Sequence, residues 1–332
     1  MSNLILGIDG GGSKTIAWLA RVPSDVDGTM AELEIIGQGH SGPSNPWSVG
    51  FDAACANLAL AIENAQENGA ISNPSIAVAC LGLAGAGHAA VKRNFLEWAN
   101  HRKLADETIV IDDVEPLALA AAYERHLDSA SVSKNAFSIW QQSITLVAGT
   151  GSIACGRNAV GERVRVGGWG YLLGDEGSGF AIGMAGLQAI CRAHDHAGPP
   201  TLLHAALLQQ LEFDDPIQLV SFIYQSPVPR AVVAKLAETV ISVADKDAIA
   251  SAIVGSAIDS MEHLIATVAE RLELAPLSYS LALSGGILSH QTIILRLLEQ
   301  LARRNRSPVV SHHIHQPVYG PLVAAAMKLI SS

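Results

Sequence analysis

The sequence predicts an α/β protein built of two similar halves, on three observations. Apolar extended runs alternate with helical patterns along the whole chain, the arrangement of strands and helices that share layered sheets. A strand, glycine-rich turn, strand unit occurs near the start and again near the middle. No Pro/Ser-rich linker or low-complexity tract divides the halves, so packed domains fit better than tethered ones. At 332 residues, 49% of them apolar, the chain can bury large cores. Its length suits about two domains of ~150 residues each.

Each element has its own signal. Residues 4–8 form an apolar strand, residues 9–13 a turn and residues 15–20 the returning strand. Residues 34–39 add a third antiparallel strand. Ala54, Leu58, Ala61, Ile62 and Ala65 recur at helical spacing through 49–69, and Asn68-Gly69 ends that helix. Residues 76–83 are a short β-rich run, 89–99 a helix, and 108–111 a strand with Asp112 and Asp113 at its carboxyl end. An Ala-rich helix follows at 116–124. The pattern then restarts, with a strand at 143–147, a small-residue turn at 148–152 and a return at 153–156. Residues 180–275 are mostly helical. A buried strand at 279–283 opens onto Ser284-Gly285-Gly286 and a further helix, and a terminal helix covers 322–330. The expected division is 1–116 and 117–332, with a helical insertion in the second domain and a terminal helix, 318–331, that packs back onto the first.

Composition excludes several classes. With 21 basic and 31 acidic side chains, a net charge of −10 and no long basic run, the chain lacks the footprint of a nucleic-acid binder. The longest uncharged stretch, 135–156, is rich in Gln, Ser, Thr and Gly, which suits a buried strand and turn rather than a membrane span. The first residues carry no basic region and soon reach Asp9, so no secretory signal is expected. Cys55, Cys80, Cys155 and Cys191 show neither a CxxC pair nor zinc spacing, and read as buried thiols of a reducing, cytoplasmic compartment. His312, His313 and His315 lack partner carboxylates at helical spacing and suit a strand end; His194 and His196 flank Asp195 in a polar loop. Arg303, Arg304 and Arg306 suit a helix end. Trp18 and Trp98 read as core.

Four motifs carry chemistry. In Gly7-Ile8-Asp9-Gly10-Gly11-Gly12-Ser13-Lys14-Thr15, three consecutive glycines leave backbone N–H groups open to an anion beside a strand-end carboxylate. A Walker A loop needs Gly where Ser13 stands and must open a helix, whereas Thr15-Ile16 continue a strand; Thr15 also fills the last glycine of a GxGxxG pattern. Ala148-Gly149-Thr150-Gly151-Ser152 is a second anion-sized turn. The loop from Gly167 to Gly179 sets Trp169 and Tyr171 near adjacent Asp175 and Glu176, aromatics for sugar faces and carboxylates for hydroxyls. At Leu283-Ser284-Gly285-Gly286 a bare backbone could lie against a flat ring.

Together and in this order the motifs resemble the acetate/sugar kinase, Hsp70 and actin superfamily. Within it, they are most similar to the N-acetylglucosamine kinase branch, which includes the BadF/BadG-type ATPases. The resemblance covers nearly the whole chain, and its most specific part is GTGS followed by GGWGYLLGDEGSG. It implies two RNase H-like domains with ATP and Mg²⁺ between them, the sugar deeper in the cleft, and closure that excludes water. By the same resemblance, Gly10, Gly11, Gly12, Ser13, Lys14 and Thr15 form the first phosphate loop, and Asp9 holds Mg²⁺ through water. Gly149, Thr150 and Gly151 form the second loop, and Gly285 and Gly286 meet the adenosine. Asp113 is the implied general base, and Asn45, Gly85, Asp113, Thr150, Gly168, Trp169 and Asp175 contact the sugar.

Two positions depart from the pattern. Ala84 stands where those kinases place Ser, and Asp112 precedes Asp113 where a small polar residue is usual. The implied activity is ATP-dependent phosphorylation of the 6-hydroxyl of N-acetylglucosamine, with glucosamine as the alternative acceptor. A more distant alternative is an ATPase activator of a 2-hydroxyacyl-CoA dehydratase, which needs cysteines in a glycine-rich cluster loop. The expected partners are an amino sugar and ATP, with no nucleic acid and no membrane, and a homodimer is the common assembly for such a chain.

Overall fold

β1 (Leu4–Gly10) and β2 (Thr15–Arg21) pair as a hairpin with Leu4 opposite Arg21 and Gly10 opposite Thr15. The computed structural model describes residues 3–23, 32–128, 137–224 and 230–331. β3 (Glu34–Ser41) continues antiparallel beside β2. After the single turn α1 (Pro46–Val49), α2 (Phe51–Asn68) lies across β3, buried through Ala54, Leu58, Ala61, Ile62 and Ala65. The helix approaches so closely that a Cβ at Gly37 or Gly39 would strike the carbonyls of Ala65 and Ala61. β4 (Val78–Leu83) runs parallel to β1, α3 (Ala89–His101) crosses over, and β5 (Glu107–Asp112) runs parallel to β4 before α4 (Leu117–Asp128). The sheet order is β3-β2-β1-β4-β5. Its register places Asp9 beside Gly82 and Gly82 beside Ile111. The carboxyl ends of three parallel strands therefore stand level, the usual place for a ligand on an α/β sheet.

The second unit repeats this plan. β6 (Ser143–Ala148), β7 (Ser152–Arg157) and β8 (Arg163–Gly167) are successive antiparallel neighbours. Five helices follow: α5 (Gly179–His194), α6 (Leu203–Leu211), α7 (Gln218–Tyr224), α8 (Arg230–Val243) and α9 (Ala248–Arg271). β9 (Ser280–Ser284) then joins β6 in parallel, and after α10 (Gln291–Arg303) the edge strand β10 (Val310–His313) joins β9. The order β10-β9-β6-β7-β8 matches the first sheet strand for strand, with two antiparallel neighbours on one side of the central strand and two parallel on the other. His312 and His313 lie on β10, and the described residues contain no cluster of three or more His, Cys, Asp or Glu suited to a metal.

Among the described residues one helix, α9, is long and apolar enough to cross a membrane. Its Val254, Ile258, Met261, Ile265 and Val268 belong to the core of the second unit. It also buries Glu262, which receives Arg304 Nη1 at 2.5 Å and Arg306 Nη1 at 2.8 Å. Arg304 and Arg306, expected only to complement a helix end, instead clamp a buried carboxylate, while Arg303 pairs with exposed Glu299.

The terminal helix α11 (Tyr319–Ser331) returns to the first sheet, burying Leu322, Val323, Ala325 and Ala326 beside Ile5, Trp18, Val78 and Tyr123. Contact is closest at Gly7, where a Cβ would sit 2.6 Å from the Leu322 backbone nitrogen. On α4, buried Glu124 accepts the N–H groups of His315 at 3.0 Å and Gln316 at 2.6 Å, and the Tyr123 hydroxyl accepts that of Leu33 at 2.6 Å. Two compact units result, Met1–Gln141 with Ile314–Ser332, and Gln142–His313. The division expected after residue 116 therefore comes too early, because α4 shares its core with β1, β4 and α11. The cysteines also differ from expectation: Cys55 and Cys80 are buried, but Cys155 is only partly so and Cys191 is exposed.

Candidate active site

In the first unit, the turn after β1 closes where the Gly11 N–H donates to the Lys14 carbonyl at 3.0 Å. Gly10 is demanded by packing, since a Cβ there would strike the Ser44 side chain. Gly11 and Gly12 are different. The first has no neighbouring atom nearer than 3.7 Å to a built Cβ and the second none within 4 Å, and neither has a positive φ. The fold itself gives no reason for these two glycines. Glycine at both positions leaves the backbone open to the approach of a ligand, although the Gly11 N–H is itself already donated to Lys14. Ser13 and Lys14 are exposed on the same turn. Thr15 is set apart from them: fully buried, it donates to the Gly42 carbonyl at 2.7 Å and lies 2.9 Å from the Ser44 hydroxyl.

The carboxylates gather beside this turn. Burial pushes Asp9 up to about 6, against the pull of Lys14. Asp113, one residue beyond β5, is pushed up to about 8 by burial first and then by the charge of Asp112, a hydrogen bond with it and the charge of Asp9. Asp112 also accepts the Val114 N–H at 3.3 Å through Oδ1, which fixes the turn. Two further segments are tied to the glycine turn by backbone bonds, Ser44 N–H to Gly11 at 3.0 Å and Ala84 N–H to Gly10 at 2.8 Å. They carry Asn45 and Gly85. Asn45 caps α1, its Oδ1 accepting the Trp47 N–H at 3.0 Å. Gly85 has φ +88°, and a Cβ there would lie 3.0 Å from Trp47 Nε1. Trp47 itself is 68% exposed and stands edge-on to His88.

In the second unit, the turn after β6 is held against the start of α5 by the Gly179 N–H donating to Gly149 at 2.7 Å. Gly285 has φ +100° and packs on the Ala148 carbonyl, while Gly286 faces open space. A Cβ on Gly149 would be 3.8 Å from the Gly286 nitrogen, so the second turn and the Gly285–Gly286 motif are neighbours. Thr150, on that second turn, is exposed. Asp175 is 3% exposed with φ +65°; its Oδ2 receives Arg230 Nη2 at 2.9 Å and its Oδ1 receives the Ser152 N–H at 3.3 Å. Gly168 accepts Arg165 Nη2 at 2.8 Å, and Trp169 beside it is 74% exposed.

Each unit thus gathers its own share of the residues expected from the motifs. Trp47 and Arg230 are the additions. Trp47 follows the Asn45 motif closely enough to have been suspected, but Arg230 lies 55 residues from Asp175 and has no local signature.

Known proteins resemble the chain along most of its length. It is 28% identical over 287 residues to the N-acetylmuramic acid/N-acetylglucosamine kinase of Clostridium acetobutylicum, covering 86% of each chain. It is 29% identical over 318 residues to the N-acetyl-D-glucosamine kinase of Dictyostelium discoideum, covering 91% of each. Among solved structures, a candidate N-acetylglucosamine kinase from Chromobacterium violaceum superposes with a TM-score of 0.74 at 20% identity, over 97% of this chain and 98% of that one. A ROK family glucokinase from Streptomyces griseus, in complex with glucose and AMPPNP, gives 0.58 at 14% identity over 98% of each. These structures share the fold, two units of RNase H-like topology as in actin-like ATPases. With its family model matched from residue 6 to residue 327, the chain belongs to the BadF/BadG/BcrA/BcrD ATPase family.

Proposed function

We propose that this protein is an ATP-dependent amino-sugar kinase that phosphorylates the 6-hydroxyl of N-acetylglucosamine. The observation that carries the proposal is Asp113, a partly buried carboxylate raised to about 8 at the strand edge that also bears Asp9 and the open turn Gly11–Gly12. A general base works best when its pKa is near the operating pH. In the proposed reaction Asp113 orients the sugar 6-hydroxyl and takes its proton as the oxygen bonds to the terminal phosphorus; the bond from that phosphorus to the β–γ bridging oxygen breaks, and ADP leaves with its electron pair. Phosphoryl transfer otherwise demands positioning and neutralisation of charge, which suits the turns at residues 10–14 and 149–151, whose Gly11 and Gly149 N–H groups are donated within the turns, together with the Lys14 ammonium. Asn45, Gly85 and Trp47 in one unit, and Gly168, Trp169, Thr150 and Asp175 in the other, are assigned to the sugar, and Gly285 and Gly286 to the adenosine.

The donor set suits Mg²⁺ held through water. Asp9 and Asp113 are costly to ionise in a buried setting, a cost that a divalent cation offsets. When bound, Mg²⁺ supplies positive charge to the phosphates, with Asp9 as its water-mediated anchor.

Free glucosamine is the alternative acceptor, because Ala84 offers only a backbone contact, its N–H already donated to Gly10. The dehydratase-activator alternative is not favoured. Cys55 lies in α2, Cys80 in β4, Cys155 in β7 and Cys191 in α5, none in a glycine-rich loop. In this proposal the enzyme is cytoplasmic, acts on two small molecules and forms a homodimer, which a sizing column checks. The decisive experiment measures ADP release from ATP·Mg²⁺ with N-acetylglucosamine, glucosamine, N-acetylmannosamine and N-acetylmuramic acid. N-acetylglucosamine should raise the rate far above the sugar-free rate. Equal rates with and without every sugar would remove the kinase proposal.

A further inference from the structure

Asp175 is assigned above to a sugar hydroxyl, yet both of its oxygens already have partners within the protein. Oδ1 accepts the Ser152 N–H at 3.3 Å, a long bond, and Oδ2 accepts Arg230 Nη2 at 2.9 Å. The arginine is itself held on several sides. Its guanidinium carbon lies 5.2 Å from the centre of the Tyr171 ring, on the same loop as Asp175. Its Nη2 would be 3.0 Å from a Cβ on Gly151, so only glycine leaves room for the pair at that turn. Its Nε is buried without a hydrogen-bond partner among the described residues, as are only the indole nitrogens of Trp18 and Trp140. An unsatisfied buried nitrogen costs free energy, which the ion pair with Asp175 offsets here.

We propose that Arg230 is a positioning residue for sugar binding. The guanidinium occupies Oδ2, fixes the plane of the carboxylate and keeps a buried negative charge compensated. Oδ1, with one long hydrogen bond among the described residues, is thereby left to accept a sugar hydroxyl. The positive φ of Asp175 has the same purpose, because the backbone is bent to deliver this side chain to the arginine and the turn. The inference rests on the assignment of Asp175 to the sugar, and the test separates the two.

Arg230→Ala, Arg230→Lys, Asp175→Asn and the double variant Arg230→Ala/Asp175→Asn are compared by steady-state kinetics and thermal melting. Loss of an ionic hydrogen bond is worth about ten- to hundredfold. Arg230→Ala should therefore raise KM for N-acetylglucosamine by at least about tenfold, with KM for ATP little changed. Arg230→Lys should recover part of the loss, since one ammonium donor still reaches a carboxylate. The double variant should be no worse than Asp175→Asn alone, because Arg230 acts through Asp175. If Asp175→Asn raises sugar KM and Arg230→Ala does not, the positioning role is wrong while the sugar site stands. If Arg230→Ala raises KM for ATP instead, the arginine serves the phosphate turn and the inference is overturned. An unchanged sugar KM in Asp175→Asn removes the assignment of Asp175, and the inference falls with it. Should Arg230→Ala fail to fold, Arg230→Lys against Asp175→Asn carries the same comparison.

Discussion

Asp113 is a carboxylate that the folded chain holds where ionisation is costly, and this has consequences for both stability and rate. In the unfolded chain Asp9 and Asp113 release protons near 3.8, whereas folding raises them to about 6 and about 8. Their contribution to stability is thus full below the unfolded value and is lost as pH rises through about 6 and then about 8. Asp113→Asn cannot ionise, so without ligands its Tm relative to the native protein should improve from pH 5 to pH 8.5. A difference independent of pH would show that Asp113 bears no such cost. In turnover the sign reverses. Asp113→Asn cannot take the hydroxyl proton and should lower kcat by about 10²- to 10⁴-fold, with KM for ATP little changed. Asp112→Asn should cost far less. A swap of the two phenotypes would make Asp112 the base, and losses below about tenfold in both would leave neither carboxylate in that role.

At the scale of elements, α11 is the piece most exposed to test. A Cβ on Gly7 would meet the Leu322 backbone at 2.6 Å, where neither β1 nor α11 can yield. Gly7→Ala should therefore destabilise the protein by about 1–3 kcal/mol, the usual cost of overpacking, read as a lower urea midpoint. An unchanged midpoint would mean that helix and strand are not in close contact. Elements with continuous apolar runs or clear helical spacing, such as β1, β4, β9 and α2, were legible in the sequence because burial dictates their composition. β8 and β10 are not legible as full strands. Each is a half-exposed edge strand, RVRVG and VSHH, whose residues satisfy solvent on one side and so look like loop. The glycine turns were legible because Gly10-Gly11-Gly12 and the small-residue run at 148–152 stand out locally between apolar strands. The inward turn of Thr15 was not, since it depends on Gly42 and Ser44. Nor was the Asp175–Arg230 pair, which depends on how distant segments pack.

For the molecule as a whole, the repeated sheet order means that one architecture occurs twice, but the two copies are not equally continuous. Residues 142–313 are a single stretch with a core of their own, drawn from β6, β9 and α5 to α10. The first unit needs residues from both ends of the chain. Expressed alone, 142–313 should unfold cooperatively in urea, whereas 1–141 should not fold until 314–331 is supplied. A cooperative transition from 1–141 alone would show that α11 is dispensable. This discontinuity bears on synthesis. A ribosome adds about 5–20 residues per second, so β1, β2 and β4 must wait while all of 142–313 is made. During that wait the face bearing Ile5, Trp18, Val78 and Cys80 lacks the helix that covers it. Until α11 emerges, the nascent protein shows chaperones an apolar surface. A chain interrupted before that point carries Asp9 and Asp113 on a sheet with all five strands but one bare face, so chaperone binding there competes with completion of the fold.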